Sequence, residues 1–348
     1  VLAVSENAVT GETGAGVVEA EKNTGEPEVE NGGAENREAE NTDLDAETAD
    51  PDTETADGTH TYKNGFCTDD GCDAYEPAVL TTGKYDIDAN GEITDSDEAY
   101  EIGNAGQLYW FAGLVNGTLT DGTAQNLGAN AVLTKNITVN EDLLASIKTD
   151  KDGNVTNGSS FKAWRPMGMA DEKGNLTGWY TGIFDGNGHS ISGLYVNRDE
   201  SDDVDDRFKV GIGLFGYYSG LTRNLSVLDS YMRGESSVGG IIGYIGYNKT
   251  GTVQNCYSAA TVWGIDSIGG ICGSSGGISK IENCYNMGNI CGETEVGGIC
   301  GDNYAIIKNC YNVGSVKGEM NVGGITGENT KVNNVEEEIT DCYNRGNV

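Results

Sequence analysis

The chain has 348 residues, a formal charge of −34 and a sequence pI near 4.1. That balance argues against nucleic acid and anionic membrane surfaces as partners, because both are held by clustered Lys and Arg. Glycine is frequent at 53 residues and proline rare at 4, which suits repeated tight turns between strands better than a helical bundle.

No apolar run approaches the roughly 18 residues of a membrane-spanning helix, so no membrane insertion is expected in this fragment. Residues 1–58 hold 17 Asp or Glu against Lys22 and Arg37, with no aromatic residue. Such a segment cannot bury enough apolar surface to offset its chain entropy and reads as a disordered acidic spacer. Val1-Leu2-Ala3 suit the tail of an export signal. The missing initiator Met and the stop in mid-pattern at Asn347-Val348 mark a piece of a longer protein.

The next segment, 59–100, carries two candidate metal sites. His60, Cys67 and Cys72 could supply three zinc ligands; a Cys67–Cys72 disulfide is the other reading in an exported protein. Residues 86–97, D-I-D-A-N-G-E-I-T-D-S-D, follow the calcium-loop template. Asp86, Asp88 and Asn90 stand at positions 1, 3 and 5, Gly91 at the turn, Glu92 at the backbone-carbonyl position and Asp97 at position 12. Asp replaces the usual Glu at that last position, and no entering helix precedes the loop, so an acidic turn stays open as the alternative. Of the two metals, calcium is the cofactor expected.

Residues 101–160 read as a helix and entry strands. Leu108, Phe111, Ala112 and Val115 fall on one helical face, with Asn104 as N-cap and Gly117 just past the end. A strand is expected over 131–139, and G-I-F-D-G-N-G-H-S-I-S-G-L-Y-V reads as two strand-like runs joined by a Gly-Asn-Gly turn.

From 161 to 348 the expectation is a parallel β-solenoid, resting on the repeat over 210–348. G-L-F-G at 213–216 returns as G-I-I-G at 240, G-I-C-G at 270 and 298, and G-I-T-G at 324. N-C-Y-S at 255 returns as N-C-Y-N at 283 and 309 and as D-C-Y-N at 341. Both landmarks keep a period of 26–32 residues, and units of this length bury a core only by stacking on their neighbours. About six coils at about 4.8 Å each are expected. Within N-C-Y-N the alternation of side chains makes Cys256, Cys284, Cys310 and Cys342 an inward packing column, since free Cys behaves as a small buried hydrophobe. Tyr257, Tyr285, Tyr311 and Tyr343 then form an outward ladder, either a stacking platform for sugar rings or mutual cross-strand support. Cys272 and Cys300 take positions filled elsewhere by Phe215, Ile242 and Thr326.

V-G-G-I-C-G followed by N-C-Y-N-V-G-S-V-K-G resembles the GLUG repeat of bacterial cell-surface proteins, over roughly 210–348. The resemblance implies a right-handed β-helix capped by the N-terminal helix, in a secreted or wall-attached, adhesin-like protein that binds a host or bacterial surface glycan or protein. GLUG repeats also occur in some immunoglobulin A-cleaving metallopeptidases. The first unit departs from the pattern in lacking Cys, and the last is cut short.

Catalytic constellations are missing from the sequence. His60 and His189 are followed by T-Y and S-I, so there is no H-E-x-x-H zinc-protease motif. The acidic run R-D-E-S-D-D-V-D-D-R at 198–207 reads as a solvated inserted loop, and Asp185 with His189 as turn residues. The expected function is therefore non-enzymatic binding. The alternative is the non-catalytic region of a larger surface enzyme, an immunoglobulin A-type metallopeptidase or a polysaccharide-degrading enzyme.

Overall fold

A computed structural model describes residues 53–54, 60–151, 154–169, 178–198, 210–330 and 338–348. The acidic spacer expected over 1–58 lies outside them, apart from the two-residue strand Thr53–Glu54. Most of the inserted acidic loop after Arg198 lies outside them too.

Short extended runs punctuated by Gly, Asn and Asp give five small strands per coil. In one coil these are Leu221–Arg223, Ser226–Leu228, Tyr231–Arg233, Ser236–Gly239 and Ile242–Ile245. The next coil repeats them at Thr252–Gln254, Tyr257–Ser258, Thr261–Trp263, Asp266–Gly269 and Cys272–Ser275. Every pairing between these coils is parallel and in register. The result is a nearly all-β parallel solenoid of about seven turns.

The stack begins earlier than the boundary expected at 161. Strands Glu98–Ile102 and Ala131–Leu133 join Ile183–Asp185 and the repeats in one nine-stranded sheet. The single strand expected over 131–139 is broken at a corner. Its second half, Ile137–Thr138, enters a different sheet, beside Ser190–Ser192. Likewise the runs on either side of Gly-Asn-Gly pair with neighbouring coils, not with each other.

The tetrapeptide N-C-Y-N has a separate physical reason for each residue. Its first Asn makes the corner: Asn224, Asn255, Asn283 and Asn309 have φ of 52–55°, a left-handed conformation that Asn tolerates better than most residues. Asn255 donates to Asn224, Asn283 to Asn255 and Asn309 to Asn283 at 3.1–3.2 Å. The Cys points inward, and Cys256, Cys284 and Cys310 are fully buried while Cys342 is half-buried. Burial pushes the Cys284 thiol up from its ordinary value, so it packs as a neutral group. The second cysteine position falls in one register column, Phe215, Ile242, Cys272, Cys300 and Thr326.

The last Asn of the motif is also buried at Asn286 and Asn312, while Asn344 is exposed. Asn286 donates to Asn312, and Asn312 to Asn344, both at 2.8 Å. Each also donates to the carbonyl of a glycine two residues on and accepts from that glycine's N–H. At Asn312 all four hydrogen-bonding positions of a buried amide are thereby filled. Across the core stands the other landmark: a Cβ on Gly270, Gly298 or Gly324 would lie 2.4–2.5 Å from the Cγ of Asn286, Asn312 or Asn344.

Helix α1, Ala105–Asn116, closes the first turn. Asn104 caps it by accepting from the Gln107 N–H, and Gly117 ends it at φ 66°. The expected one-sided apolar stripe is an underestimate, because every residue of α1 except Gln107 is buried. One side packs Phe111 on Phe184 and Tyr180. The other is covered by the turn between Tyr62–Lys63 and Phe66–Cys67, where Asn64 accepts the Gly106 N–H through its carbonyl. The approach is so close that a Cβ on Gly106 would sit 1.8 Å from the Gly65 oxygen.

The two inward residues of N-C-Y-N differ in what they hold. Cys284→Ala removes one small buried group and should cost about 1 kcal/mol. Asn286→Ala strands several buried polar partners and should cost about 3 kcal/mol or more. Urea denaturation of the two variants tests this; equal losses would contradict the ladder argument.

Candidate functional site

The tyrosine ladder is in place. Tyr257, Tyr285, Tyr311 and Tyr343 stack with centroids 4.7, 4.8 and 5.1 Å apart and planes within 6° of parallel. That spacing decides its chemistry. Both faces of Tyr285 and of Tyr311 lie against neighbouring rings, so these residues offer a sugar only edges and hydroxyls. The ladder braces the sheet.

A different surface carries both an aromatic and a polar side. The outward residue after the last glycine of each G-x-x-G unit forms the register column Tyr217, Tyr244, Ser274, Asp302 and Glu328. Alongside runs a corner column, Ser237, Ser267, Glu295 and Asn321, with φ of 51–58°. Between them opens a cavity of about 420 Å³, lined among others by Tyr244, Tyr247, Tyr304, Asp266 and Asp302. Tyr247 meets Tyr304 edge-on at 5.8 Å and is 54% exposed. Trp179 extends the aromatic side, packing on Tyr217 and Tyr244 at 5.2 and 5.7 Å.

The carboxyl groups are crowded at the opposite side. Ser267 lies 2.8 Å from Glu295 Oε2 and 3.2 Å from Asp266 Oδ2, and Ser274 donates to Asp302 Oδ2 at 3.5 Å. Asp302 Oδ1 is buried without a hydrogen-bond partner among the described residues. Burial, with the charges of Glu295, Glu328 and Asp266 adding to it, pushes the Asp302 carboxyl up to about 7. Glu295 is raised as well, by burial first. Near neutral pH the cavity therefore holds a carboxyl able to donate or accept.

The calcium-template loop folds back on the solenoid. Asp86, Asp88 and Asp97 each offer an oxygen, all within 4.8 Å of one another. Asp86 accepts the N–H groups of Asn90 and Gly91. Asp97 is buried and accepts from the N–H groups of Thr94 and Ile87, and the Thr94 bond leads in lowering its carboxyl below the usual value. Asn90 stands against the cluster, donating to Asp88 Oδ2 at 2.8 Å and accepting the Glu92 N–H, and the Glu92 side chain is exposed. Arg223 fastens the loop, donating to the Asp86 carbonyl at 2.9 Å and pairing with Asp185 at 2.6 Å. Asp185 is thus committed to Arg223, while His189 sits against Asn136; the two flank the turn at Asn187 and Gly188. His60, Cys67 and Cys72 also converge.

Sequence reasoning missed Trp179, Tyr217, Tyr244, Tyr247, Tyr304, Asp266 and Asp302. An alignment of the G-x-x-G units extended by one residue brings Tyr217, Tyr244, Ser274, Asp302 and Glu328 into one column, so the signal was present.

No family model matches the chain. Over 126 residues it is 31% identical to Halomucin of Haloquadratum walsbyi, a stretch covering 35% of this chain and 1% of that protein. The chain therefore corresponds to a small fraction of that relative's length. Among solved structures, a Bacteroides ovatus protein described as a candidate immunoglobulin A1 protease aligns with a TM-score of 0.46 and 24% identity. The alignment covers 72% of this chain and 65% of that one.

The Asp302 environment has a measurable consequence. Its ordinary value is 3.8 and the folded value about 7, so the native state binds this proton more tightly than the unfolded chain does. The associated stability is full below about pH 4 and is lost as the pH rises through about 7. Asp302→Asn should flatten the pH–stability curve between about pH 4 and 8 by roughly 1–2 kcal/mol, allowing for solvent screening. Denaturation midpoints across that range test it; an unchanged slope would refute the assignment.

Proposed function

We propose that this chain is a non-enzymatic, secreted or surface-attached bacterial binding protein of the GLUG-repeat kind, whose outer groove takes a neutral glycan. The observation that carries this is the meeting, in one cavity of about 420 Å³, of Tyr244, Tyr247 and Tyr304 with the carboxyls of Asp266 and Asp302. Ring faces suit the apolar side of a sugar, and carboxyl and hydroxyl groups suit its hydroxyls. The charge of −34 disfavours sulfated or uronic-acid chains. In-phase G-I-x-G and N-C-Y-N landmarks support the GLUG placement. The partial relative's name, Halomucin, fits a surface setting.

Titration calorimetry against neutral and anionic oligosaccharides tests the reading. Neutral sugars should bind, and Tyr244→Ala should weaken them about tenfold or more, as losing one aromatic contact of about 1.4 kcal/mol implies. Preference for anionic sugars, or indifference to Tyr244→Ala, counts against the groove. Release of new reducing ends by the wild type would show a hydrolase and overturn the non-enzymatic part.

We also propose that loop 86–97 binds calcium in the weak class of about 10⁻⁴–10⁻³ M. At about millimolar calcium this stabilises the fold by roughly 0.4–1.4 kcal/mol. Calorimetry should give calcium-dependent heat that disappears in Asp88→Ala. Identical isotherms for the two proteins would return the loop to an ordinary acidic turn.

A further inference from the structure

We infer that His60, Cys67 and Cys72, with the neighbouring Asp69 turning in as fourth ligand, form a zinc site that fastens the N-terminal hairpin over helix α1. His60, Cys67 and Cys72 converge and are ordinary zinc ligands, and the structure sets the Asp69 carboxylate beside two of them. His60 Nδ1 lies 3.6 Å from Cys67 Sγ and 3.4 Å from Cys72 Sγ. Asp69 Oδ2 lies 3.5 Å from Cys67 Sγ and 3.8 Å from His60 Nδ1.

His60, Cys67 and Cys72 each bring a ligand atom within 4.8 Å of the others, and Asp69 stands near two of the three, so a turn of its carboxylate toward Cys72 closes the set. Tetrahedral zinc, with bonds of about 2.3 Å to sulfur and about 2.0–2.1 Å to nitrogen or oxygen, holds its ligands roughly 3.3–3.8 Å apart. The two sulfurs are free thiols, not bonded to each other. Each also receives a main-chain N–H from the residue two further on, Asp69 for Cys67 and Ala74 for Cys72. Such N–H groups orient and stabilise thiolate ligands from outside the first shell. The His60 and Asp69 side chains are 36% and 47% exposed, which leaves a path for the ion.

The site's position gives it a structural role. Cys67 ends the short strand Phe66–Cys67, and Phe66 packs edge-on against Tyr109 of α1 at 5.3 Å. Asn64, in the same turn, accepts the N–H groups of Ala105 and Gly106 at the helix start. Zinc binding with loss of both thiol protons would order a loop that otherwise has little core of its own.

The test uses the whole chain, reduced and stripped of metal with a chelator, in competition with a chromophoric zinc indicator and then with cobalt. One equivalent of zinc should bind and raise the melting temperature. Cobalt should show the sulfur charge-transfer band of two thiolates with the intense visible bands of a tetrahedral site. Cys72→Ser should abolish tight binding. Asp69→Asn should keep the charge-transfer band but weaken zinc about tenfold or more. Glu141→Gln, an exposed carboxylate elsewhere in the chain, should leave zinc affinity unchanged.

Because Cys72→Ser could loosen the hairpin for other reasons, the cobalt spectrum of the unaltered chain decides the thiolate count directly. A Cys67–Cys72 disulfide that persists after reduction and zinc addition would overturn the site. So would zinc affinity equal in wild type and Cys72→Ser. Unchanged affinity in Asp69→Asn would remove Asp69 from the ligand set and refute the four-ligand assignment.

Discussion

The constraint on which the solenoid depends is the amide column of the buried Asn286 and Asn312, continued by the exposed Asn344. A primary amide inside a protein costs several kcal/mol unless its polar positions are satisfied. Here it is satisfied only if the next coil arrives in register, because one partner is the same side chain one strand away. A slip of one residue would break the column and turn every cysteine to the other face. The facing glycines follow from it, since Gly270, Gly298 and Gly324 have no room for a Cβ against the amides. The two landmarks of the repeat are thus two sides of a single contact. Where Gly240 faces the smaller Ser258, the coil has not yet adopted the column, which begins one unit later.

Inward and outward positions answer to different rules. The core column Phe215, Ile242, Cys272, Cys300, Thr326 varies in size yet stays apolar or small, while two residues on the outward column runs Tyr217, Tyr244, Ser274, Asp302, Glu328. Chemistry changes along the axis from aromatic to acidic with no change in the backbone beneath. Crowding of Asp302 with Glu295, Glu328 and Asp266 is tolerated because the ladder beneath fixes the strands that carry them.

Much of the fold was legible in the sequence because the repeat writes each structural requirement several times. Two landmarks in phase were enough for a stacked β-coil, and Asn104 with Gly117 marked both ends of α1. What covers α1 was not legible, because its cover is an irregular hairpin with two-residue strands and no periodicity. The groove escaped notice for the opposite reason: a search for sameness overlooks the one column whose residues differ from coil to coil. The tyrosine ladder was recognised as a column, but its ring spacing of 4.7–5.1 Å is needed to see that the inner ring faces are occupied. Asp69 beside Cys67 carries no signal of its own, because zinc sites are written in paired Cys and His spacings and not in a lone carboxylate.

The in-register column also makes the coil a modular unit of length. A whole coil added or removed leaves every side-chain ladder continuous and every corner in phase, displacing what lies beyond it by one strand spacing along the axis. A partial coil breaks the amide column and exposes its donors. Length variation in such a chain is therefore quantised, and a groove set between two coils can be carried along the axis in whole steps while keeping its internal geometry.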